Sequence, residues 1–513
     1  MLITPQQMVA AENEWLEGGG DAAELMEIAG DGIARSITTF FSANSGEGTM
    51  ILVLGPGNNA GDACVAARTF AQRGWLIRWL HAVPEKPLSP LTLRYLKDLG
   101  ETAKPLDLNQ DNISDLLPRP LIVIDGLLGV GARLPLEGGI LEATKHINRW
   151  RRNHGAFTVS IDIPTGIDGA TGTADENAVI ADLTTCIGAT KSGLIADSAS
   201  NYVGRLATIP LEALPLRSST GDRVFQTTDA IDHLNPSPHV TWKTRAGRVL
   251  IIAGSPGMTG AAALTAKAAL RTGAGMVTVL CDPRCMSEIA LRSSPEVMVR
   301  SLGAYHQIDW RQYDAICVGP GLGNSFDTEV GEILSQCPLP IVIDADAINV
   351  ISRMPGHRRD RVLSTPLSPR LITPHHQELV RIFPEAESTP TRERAARAFI
   401  NRYPGATLLY KGSRTIVCRN LGADTRLWYN PTGHSGMASA GMGDTLAGIC
   451  TTLLAKNWDV RSAASTGAWL HGRAAEIATY SQSPRISQQA LIASDVIHHI
   501  GAAWIDLREH LTY

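Results

Sequence analysis

The chain has little excess charge of either sign, which limits the partners it is suited to. Its 513 residues include 46 Lys and Arg against 50 Asp and Glu, so the net charge is only −4. Proteins that bind nucleic acid or anionic membranes usually concentrate basic residues. We therefore expect neither nucleic acid nor membrane among the partners.

Long apolar runs and a secretory leader are also missing. The longest apolar runs fall far short of the roughly 20 residues that a membrane-spanning helix needs. The first segment, MLITPQQMVAAENEWLEGG, has neither the basic nor the apolar region of a secretory signal. These absences predict a cytoplasmic enzyme.

Cysteine is too scattered to build a disulfide framework or a zinc site. The eight Cys fall mostly one at a time within apolar runs, as Cys64 and Cys317 do. That distribution favours reduced core residues. The closest pair, Cys281 and Cys285, has no second pair to complete a metal site, which argues against one there.

What the sequence does contain is a recurring strand pattern. Short aliphatic runs, each followed by glycine-rich or polar residues, alternate with helix-like segments. Such runs are typical of buried parallel strands, whose carboxyl ends bind ligands in open α/β sheets. The expected strands are 50–54, 121–124 and 157–161 in the first half, and 248–253, 315–318, 340–343, 370–372 and 406–410 in the second.

Chain length and one change in composition predict the domain organisation. A chain of 513 residues exceeds the usual size of one compact domain. The stretch 210–241 is rich in Pro, Ser and Gly, which is typical of a connection between domains. We therefore expect two α/β domains, at 1–215 and 222–513.

In the first half, polar groups follow three of the expected strands. Gly55–Asp62 reads GPGNNAGD and joins a tight glycine turn to two adjacent Asn, whose side-chain oxygens suit a cation or a ligand hydroxyl. Asp125 and Asp162 each follow an apolar strand, where partial desolvation raises a carboxyl pKa toward the range useful for proton transfer. Together with the Asn pair they form a hard-oxygen cluster suited to a monovalent cation or to acid/base chemistry, to which Thr165 adds a hydroxyl.

The most informative motif lies in the second half, at Gly436–Gly448. Its glycines and small residues run into Asp444 and then into an apolar, helix-permissive segment. Backbone N–H groups of such a loop at a helix N-terminus bind an anion, and the adjacent acid indicates work on a substrate hydroxyl. The Lys411–Thr415 loop, KGSRT, adds two cations and hydroxyls that suit a polyphosphate.

The first-half motifs together resemble those of the YjeF N-terminal family, the NAD(P)H-hydrate epimerases. The resemblance includes the early segment ELMEIAG and covers nearly the whole first domain. It implies a Rossmann-like three-layer α/β fold, Asp162 as acid/base, and potassium at Asn59, Asp125 and Thr165. It also implies that the hydrated nicotinamide nucleotide is bound by Asn58, Asn59, Ala60, Gly61, Asp62, Gly129, Val130, Gly131, Ala132, Arg133 and Asp162.

The first domain departs from that family at two positions. The family usually reads NNGGDG, whereas this chain has Ala60 and Ala63 in place of two glycines. The two added methyl groups would crowd a phosphate, and Ala60 would be strained if its backbone required a positive φ. A first domain that only binds nucleotide or scaffolds partners is the alternative that this departure leaves open.

The second-half motifs resemble the ribokinase-like fold and, more narrowly, the YjeF C-terminal family, the ADP- or ATP-dependent NAD(P)H-hydrate dehydratases. The segments that match in order are Gly254–Ala262, Val318–Gly323, Asp344–Ala347, Thr373–His375, Lys411–Thr415 and Gly436–Asp444. The resemblance implies Asp444 as the base. The substrate residues would be Ala261, Gly323, His375 and Asp444, and ADP would be bound by Lys411, Gly412, Ser413, Arg414, Thr415 and Gly443. Mg²⁺ is the further cofactor that this resemblance implies. His434 and Ser435 depart from the Asn and Pro that this family tends to carry.

The two resemblances imply a single purpose, the repair of hydrated NADH and NADPH (NADHX and NADPHX). Transfer of a phosphoryl group from ADP makes the ring hydroxyl a good leaving group, and elimination restores the reduced nucleotide. The fused epimerase interconverts the R and S hydrates. We also expect a homo-oligomer. The open alternative is a ribokinase-type small-molecule kinase, because the same glycine-rich loop serves that reaction equally well.

Overall fold

We analysed a computed structural model of the protein. It describes residues 1–40, 47–106, 119–132, 134–218, 220–234, 242–422, 424–481 and 485–509, with Ala304 described by its backbone alone. Of the predicted site residues, Arg133 lies outside the described residues. The chain divides into two compact units, with the boundary between Val224 and Phe225. The family domains expected at 1–215 and 222–513 remain predictions.

The first unit is built from strands that alternate with helices. Its strands are β1 (Leu2–Ile3), β2 (Thr49–Leu54), β3 (Leu76–His81), β4 (Ala103–Pro105), β5 (Leu121–Gly126), β6 (Phe157–Ile161), β7 (Leu183–Ile187), β8 (Thr190–Lys191), β9 (Arg205–Ile209) and β10 (Arg223–Val224). Its helices are α1 (Pro5–Glu17), α2 (Ala22–Phe40), α3 (Asn59–Gln72), α4 (Pro90–Asp98), α5 (Gly138–His154) and α6 (Ser200–Val203). The three strands predicted for the first half are confirmed as β2, β5 and β6.

Seven of these strands form one parallel sheet, in the order β4-β3-β2-β5-β6-β7-β9. The chain runs from β2 outward to β4 and then returns to fill the other side from β5, so the connections diverge between β2 and β5. A crevice forms at such a switch point, beyond the carboxyl ends of the strands. Gly55–Asp62 follows β2, and Asp125 lies at the carboxyl end of β5, so the fold brings both motifs to this crevice.

The second unit repeats the α/β arrangement with a larger sheet. Its strands are β11 (Arg248–Ile252), β12 (Met276–Cys281), β13 (Val297–Ser301), β14 (Ala315–Val318), β15 (Ile341–Ile343), β16 (Arg370–Ile372), β17 (Ala406–Tyr410), β18 (Ile416–Asn420) and β19 (Thr425–Tyr429). Its helices are α7 (Thr259–Thr272), α8 (Met286–Arg292), α9 (Asp327–Gln336), α10 (Asp346–Arg353), α11 (Gly356–Ser364), α12 (His376–Ile382), α13 (Arg392–Arg402), α14 (Met442–Ala455), α15 (Val460–Glu476) and α16 (Ala493–Arg508). The five strands predicted for the second half are confirmed as β11, β14, β15, β16 and β17.

The order of these strands places a second switch point between β11 and β14. Within this unit, the order of the strands in the sheet is β19-β18-β17-β16-β15-β14-β11-β12-β13. All neighbours from β17 to β13 are parallel, and β17, β18 and β19 form an antiparallel meander. Loops after β11 and β14 contain Gly254–Gly257 and Gly319–Gly323. The predicted α/β fold class is therefore confirmed for both units.

Helix α14, which begins at the predicted anion loop, runs through the core of the second unit. Its residues from Thr445 to Ala455 are buried. Gly448 allows it to approach α7 closely, because a Cβ at Gly448 would overlap the Thr265 carbonyl oxygen. Each Å² of apolar surface that this packing buries stabilises the fold by about 25 cal/mol. The N-terminus of α14 is thereby held rigidly at the sheet edge, where ligands bind.

Two further sequence-level expectations concern the cysteines and the membrane. All eight Cys are buried free thiols. Burial, with a contribution from Cys285, raises the pKa of Cys281 to about 12, so its thiol stays protonated and unreactive at neutral pH. Within the described ranges, no helix has both the length and the apolar character needed to cross a membrane.

The close approach of the loops after β2 and β5 gives a stability prediction. A Cβ at Gly55 would overlap the Leu127 carbonyl oxygen, so Gly55→Ala must displace one of the two loops. We expect it to lower the free energy of unfolding of the first unit by about 1–3 kcal/mol, as overpacking does. Gly57→Ala is the control, because a Cβ there meets nothing within 4 Å. Urea denaturation showing equal stability for the two variants would contradict the prediction.

Candidate active sites

Asp162 lies in the first candidate site, in a backbone conformation that is rare for residues other than glycine. Its φ is +65°, a region that Asp tolerates better than most side chains. The side chain is buried, and its Oδ1 accepts hydrogen bonds from Ile187 N at 3.1 Å and from Lys191 Nζ. Backbone strain of this kind clusters at functional sites, where surrounding structure maintains it.

Lys191 is the partner of Asp162, and the sequence analysis missed it. Its side chain is fully buried and forms an ion pair with Asp162, while Nζ also donates to Ile187 O at 2.7 Å. Burying an unpaired ammonium costs several kcal/mol, so each member of the pair holds the other in place. A single Lys after a short strand is indistinguishable from a surface Lys until the fold buries it.

Asp125 and Thr165 form a hydrogen-bond network at the end of β5. Asp125 accepts from the Thr165 hydroxyl at 2.7 Å, the Thr165 amide at 2.9 Å, the Ser160 hydroxyl at 2.8 Å and Leu127 N at 3.3 Å. Burial raises the pKa of Asp125, although these hydrogen bonds act to lower it. The four donors match the four acceptor positions of a carboxylate, so Asp125 is fully engaged by the protein.

Asn59 completes the set of residues predicted to bind potassium. Its amide nitrogen donates to Leu128 O at 3.0 Å and Ile161 O at 2.9 Å, which leaves Oδ1 as the remaining polar atom of the side chain. The Leu128 amide donates to the Thr165 hydroxyl at 3.2 Å, so the network is continuous. Asn59 Oδ1 is therefore suited to bind a hard cation directly. Protein donors already occupy the acceptor positions of Asp125, so its carboxylate is suited to balance the charge of a nearby cation rather than to bind it directly.

The loops predicted to bind the hydrated nucleotide lie beside Asn59. A Cβ at Gly129 would lie 3.0 Å from Asn59 Nδ2, and Ala132 N donates to Gly129 O at 3.0 Å to close the turn. Val130 of this turn lines a pocket of about 320 Å³. Ala60 belongs to helix α3, so the strain that a positive φ would have imposed on it does not arise.

Two more carboxyl groups are coupled to Asp162. Burial, followed by the charges of Asp162 and Glu12, raises the pKa of Asp62 well above its ordinary value. Burial and Asp162 also raise the pKa of Glu12, and Lys191 opposes that shift. Asp62 is among the residues predicted from the sequence to bind the substrate, whereas no role is predicted for Glu12. No local motif distinguishes Glu12, which lies on a separate helix far from Asp162 in sequence.

In the second unit, Asp444 lies in the first turn of α14, where the anion loop becomes a helix. Gly441 precedes the helix with a φ of +86°, a conformation that favours glycine. The N–H groups of a first helical turn carry partial positive charge and have no partner within the helix. Burial, followed by repulsion from Asp344, raises the pKa of Asp444 to about 6, while Lys411 acts in the opposite direction.

Lys411, directly after β17, links the carboxylates of this site. Its Nζ donates to Asp344 Oδ1 at 2.8 Å and lies 3.7 Å from Glu378 Oε2. Burial acts to lower the pKa of Lys411, but Asp344, Glu378 and Asp444 outweigh burial and hold that pKa above its ordinary value. Lys411 is therefore a permanent positive charge beside Asp444.

A strained turn directs Asp344 and Asp346 to the same site. Ala345, between them, has φ +47° and ψ −117°, a combination that favours glycine and costs other residues of order 1–3 kcal/mol. Asp344 Oδ1 accepts from the Thr373 hydroxyl at 2.8 Å, and Asp346 Oδ2 accepts from Gly323 N at 2.8 Å. The turn thus joins the loop after β14 to the end of β16.

The residues predicted to bind the hydrated substrate in the second unit lie on neighbouring strand ends. Gly323 belongs to the loop after β14, and Ala261 of α7 packs against Gly321 in the same loop. His375 follows β16 and caps α12, where its Nδ1 accepts from Glu378 N at 3.4 Å. The His375 ring is 48% exposed, so a ligand can reach it.

Arg392 of α13 holds the predicted nucleotide loop from outside the motif. Its guanidinium donates to Tyr410 O at 3.0 Å, Lys411 O at 3.1 Å and Arg414 O at 3.0 Å, and its centre lies 4.5 Å from the centroid of the Tyr410 ring. A Cβ at Gly412 would come within 2.5 Å of this guanidinium. The glycine is therefore needed for the clamp, which the sequence analysis did not foresee.

Within the same loop, the two cations have different surroundings. Arg414 is buried, and its guanidinium donates to Pro431 O at 3.2 Å. The Thr415 hydroxyl donates to Gly412 O at 3.3 Å. A Cβ at Gly443 would lie 3.5 Å from Lys411 Nζ. Lys411 is thus the cation next to the α14 terminus, and the contact predicted between Arg414 and ADP remains a prediction.

His434 and Ser435 replace the residues usual in the resembled family but keep the loop closed. His434 Nδ1 accepts from Gly436 N at 3.1 Å, and Nε2 lies 3.1 Å from the Thr479 hydroxyl. Ser435 donates to the Gln488 side-chain oxygen at 3.3 Å. An Asn side chain at this position would accept a hydrogen bond from the backbone amide two residues later, and His434 Nδ1 supplies an equivalent acceptor for Gly436 N.

The carboxylates around Lys411 fit a shared magnesium site rather than a closed one. In the part of the chain that the structure describes, no group of three or more His, Cys, Asp or Glu is arranged to hold a metal ion. Mg²⁺ is usually bound through one or two carboxylates together with substrate phosphates. Asp344, Asp346 and Asp444 are the oxygen donors of the required type.

Comparisons with known proteins cover both units. A family described as YjeF-related protein N-terminus matches residues 22–193, and one described as NAD(P)H-hydrate dehydratase matches residues 249–497. The bifunctional NAD(P)H-hydrate repair enzyme Nnr of Thermosynechococcus vestitus is 30% identical over 496 residues, 92% of each chain. The chain belongs to this repair-enzyme family. The Escherichia coli member is also 30% identical, over 87% of this chain and 83% of its own length.

Solved structures are also similar to part of this chain. The ADP/ATP-dependent NAD(P)H-hydrate dehydratase of Bacillus subtilis, co-crystallised with ATP and Mg²⁺, is 24% identical and covers 56% of this chain and 100% of its own, with a TM-score of 0.48. A ribokinase-like superfamily protein of Enterococcus faecalis is 24% identical, covers 57% and 98%, and also has a TM-score of 0.48. The family resemblances drawn from the motifs of both halves are confirmed by the family matches.

Proposed function

We propose that this chain interconverts the R and S forms of hydrated NAD(P)H in its first unit and dehydrates the S form in its second, with ADP as phosphoryl donor. The products are NAD(P)H, AMP and phosphate. One observation carries the proposal: a single chain of this family holds two acid sites, Asp162 with Lys191 and Asp444 with Lys411. An epimerase and a dehydratase acting on the same hydrate give both sites one purpose.

In the second unit, Asp444 acts as general base on the ring hydroxyl. A pKa of about 6 leaves it ionised at neutral pH yet basic enough to accept a proton. The hydroxyl oxygen attacks the terminal phosphorus of ADP, its proton passes to Asp444, and the bond to the AMP oxygen breaks. Lys411 and the first-turn N–H groups of α14 stabilise the charge on the transferring group.

Elimination then restores the reduced nicotinamide. Phosphate leaves with the electron pair of its bond to carbon, and the neighbouring ring carbon loses a proton, so the ring double bond forms again. Ala261, Gly323 and His375 orient the hydrate, while Lys411–Thr415 and Gly443 bind ADP. Mg²⁺, held by carboxylates such as Asp344 and Asp346, supplies charge neutralisation for the phosphates when bound.

In the first unit, Asp162 is the acid/base at the carbon that bears the hydroxyl. The nucleotide would be bound by the segments 58–62 and 129–133. Potassium with Asn59, Asp125 and Thr165 would balance the buried Asp125 charge and order the loop after β5. We further propose that the chain forms a homo-oligomer and acts in the cytoplasm. Light scattering of the purified chain tests the oligomeric state.

Separated R and S hydrates of NADH and NADPH test the function. We expect S hydrate with ADP and Mg²⁺ to yield NAD(P)H, AMP and phosphate, and R hydrate to react only after conversion to S. Without nucleotide, the enzyme should interconvert R and S, more slowly when tetramethylammonium replaces K⁺. A phosphorylated product that persists without NAD(P)H would favour the ribokinase-type kinase. Absence of R/S interconversion would leave the first unit as a binding domain.

The Arg392 clamp predicts a selective effect on nucleotide binding. Arg392→Met removes the donors to three carbonyls of the nucleotide loop, so the loop loses its bound geometry before ADP arrives. We expect the KM for ADP to rise about tenfold, equivalent to about 1.4 kcal/mol of binding free energy, with kcat within about twofold. Arg394→Met, an exposed position on the same helix, is the control. An unchanged KM would show that the clamp does not support the nucleotide site.

A further inference from the structure

The N-terminal helix α1 is fixed beside the short strand β8, which contains Lys191. β1 pairs in parallel with β8, with Leu2 opposite Thr190 and Ile3 opposite Lys191. Helix α1 begins two residues later, with its Thr4 cap closed by reciprocal hydrogen bonds to Gln7. The start of α1 is therefore placed by its pairing with the segment that ends in Lys191.

The packing of α1 determines which of its side chains face the Asp162–Lys191 pair. Met8 is buried, and it fills the space beside Gly188 that a Cβ would occupy. Gly188 follows Ile187, whose amide and carbonyl bind Asp162 and Lys191 respectively. Glu12 is four residues after Met8 and so lies on the same helix face one turn further on.

Charge coupling supports this placement. Asp162 and Lys191 both act on Glu12, in opposite directions, and burial together with Asp162 keeps the pKa of Glu12 above its ordinary value. Asp62 of α3 is coupled to both Glu12 and Asp162. The first site therefore contains three interacting carboxyl groups and one ammonium group, a set in which a proton can be retained at neutral pH.

The adjoining face of α1 forms one wall of the pocket that the predicted nucleotide turn completes. The pocket, of about 320 Å³, is lined by Pro5, Gln6, Val9, Ala10, Asn13 and Val130. Val130 belongs to the turn predicted to bind the hydrate. In sequence, Glu12 lies between the pocket residues Val9 and Asn13, and its charge coupling to Asp162 and Lys191 indicates that its carboxyl group faces that pair.

We propose that Glu12 is the second proton-transfer group of the epimerase, acting on the hydroxyl-bearing ring carbon together with Asp162. The proposal rests on the epimerase function proposed above and adds a catalytic residue to it. Lys191 is a positioning residue, because it acts through the Asp162 carboxylate with which it forms an ion pair. Asp62 is coupled to both acids and adds a third carboxyl group to the site.

The chemistry follows from the hydrate itself. Water adds to the double bond next to the ring nitrogen, so the hydroxyl is on a carbon bonded to that nitrogen. Protonated Glu12 gives its proton to the hydroxyl, the C–O bond breaks to release water, and the nitrogen lone pair forms a C=N⁺ bond. Water then adds from the opposite face and gives a proton to Asp162. That proton returns to Glu12 before the next turnover, or Asp162 donates it when the reaction runs in reverse.

Glu12→Gln in the full chain tests the proposal. We expect the kcat for R/S interconversion to fall at least about 100-fold, within the range for loss of a general acid, with the KM for the hydrate within about threefold. The limb of the pH–rate profile that falls as Glu12 ionises should disappear. Dehydration of S hydrate by the same variant should be unchanged. Glu14→Gln, an exposed acid on the same helix, should match the wild type.

Three results would overturn the proposal. The first is a Glu12→Gln rate within about threefold of the wild type. The second is a slower rate with the wild-type pH profile and a raised KM, which would indicate a structural role only. The third is interconversion in ¹⁸O-labelled water that leaves the original oxygen on the ring, since the proposed step breaks the C–O bond. A wild-type chain that does not interconvert the hydrates would instead refute the epimerase function itself.

Discussion

Asp444→Asn is expected to abolish the conversion of S-NADHX to NADH while R/S interconversion continues at the wild-type rate. Asn retains the size and polarity of the side chain but cannot accept the hydroxyl proton. Loss of a positioned general base typically costs 10²–10⁴ in rate, so we expect kcat to fall by about 10³. Initial rates of NADH formation from S-NADHX, with ADP and Mg²⁺ in excess, measure the effect.

The same residue gives the wild type a defined pH dependence. Burial and Asp344 raise the pKa of Asp444 to about 6, so the carboxylate form of the base predominates above that pH. The kcat/KM for S hydrate should therefore rise about tenfold per pH unit below about pH 6 and level off above it. The residual rate of Asp444→Asn should show no such rise.

Controls for Asp444 are available on the same chain. Epimerisation reports whether the variant is folded, and Asp424→Asn removes one carboxylate from an exposed loop position and should behave as the wild type. Dehydration by Asp444→Asn at more than roughly a tenth of the wild-type rate would exclude Asp444 as the general base. Loss of both activities together would point to misfolding instead.

Asp162→Asn is expected to have the complementary effect, stopping R/S interconversion and sparing dehydration of S hydrate. Asn is one of the few residues that share with Asp a tolerance for positive φ, so the backbone at +65° is preserved. The variant loses the carboxylate that accepts the proton, and with it the negative charge that pairs with Lys191. We expect the interconversion rate to fall by about 10³, measured by chromatography of the separated hydrates.

Stability needs separate attention at this position, because the change leaves Lys191 buried without its carboxylate partner. Removing one member of a buried ion pair costs about 3–5 kcal/mol. The double variant Asp162→Asn/Lys191→Met removes the stranded charge and should recover much of that stability, as thermal unfolding would show. The double variant should remain unable to interconvert the hydrates. Recovery of the rate along with the stability would exclude Asp162 as the acid/base.

The accuracy of the strand predictions follows from the environment of each strand. The runs that became β2, β5 and β14 are aliphatic throughout because both faces of a central parallel strand are buried. Several other strands were not predicted, and β3 and β1 are two of them. β3 reads LIRWLH, a mixture of charged and apolar residues on a partly exposed strand, and β1 has only two residues. Neither carries a periodic pattern long enough to identify.

The sequence by itself determined the identity of the chemical groups, because each motif is a local run of residues whose glycines, acids and amides have intrinsic properties. It therefore singled out Asp162, Asp444 and the Lys411–Thr415 loop as candidate site residues, and it predicted the strands that precede Asp162 and Lys411. The tertiary structure alone decided which charges are buried and coupled. Lys191 pairs with Asp162, and Arg392 clamps the Lys411–Thr415 loop, through contacts between residues distant in sequence. Glu12 is coupled electrostatically to Asp162 and Lys191. Desolvation and Coulomb energy depend on those contacts, and no local pattern records them.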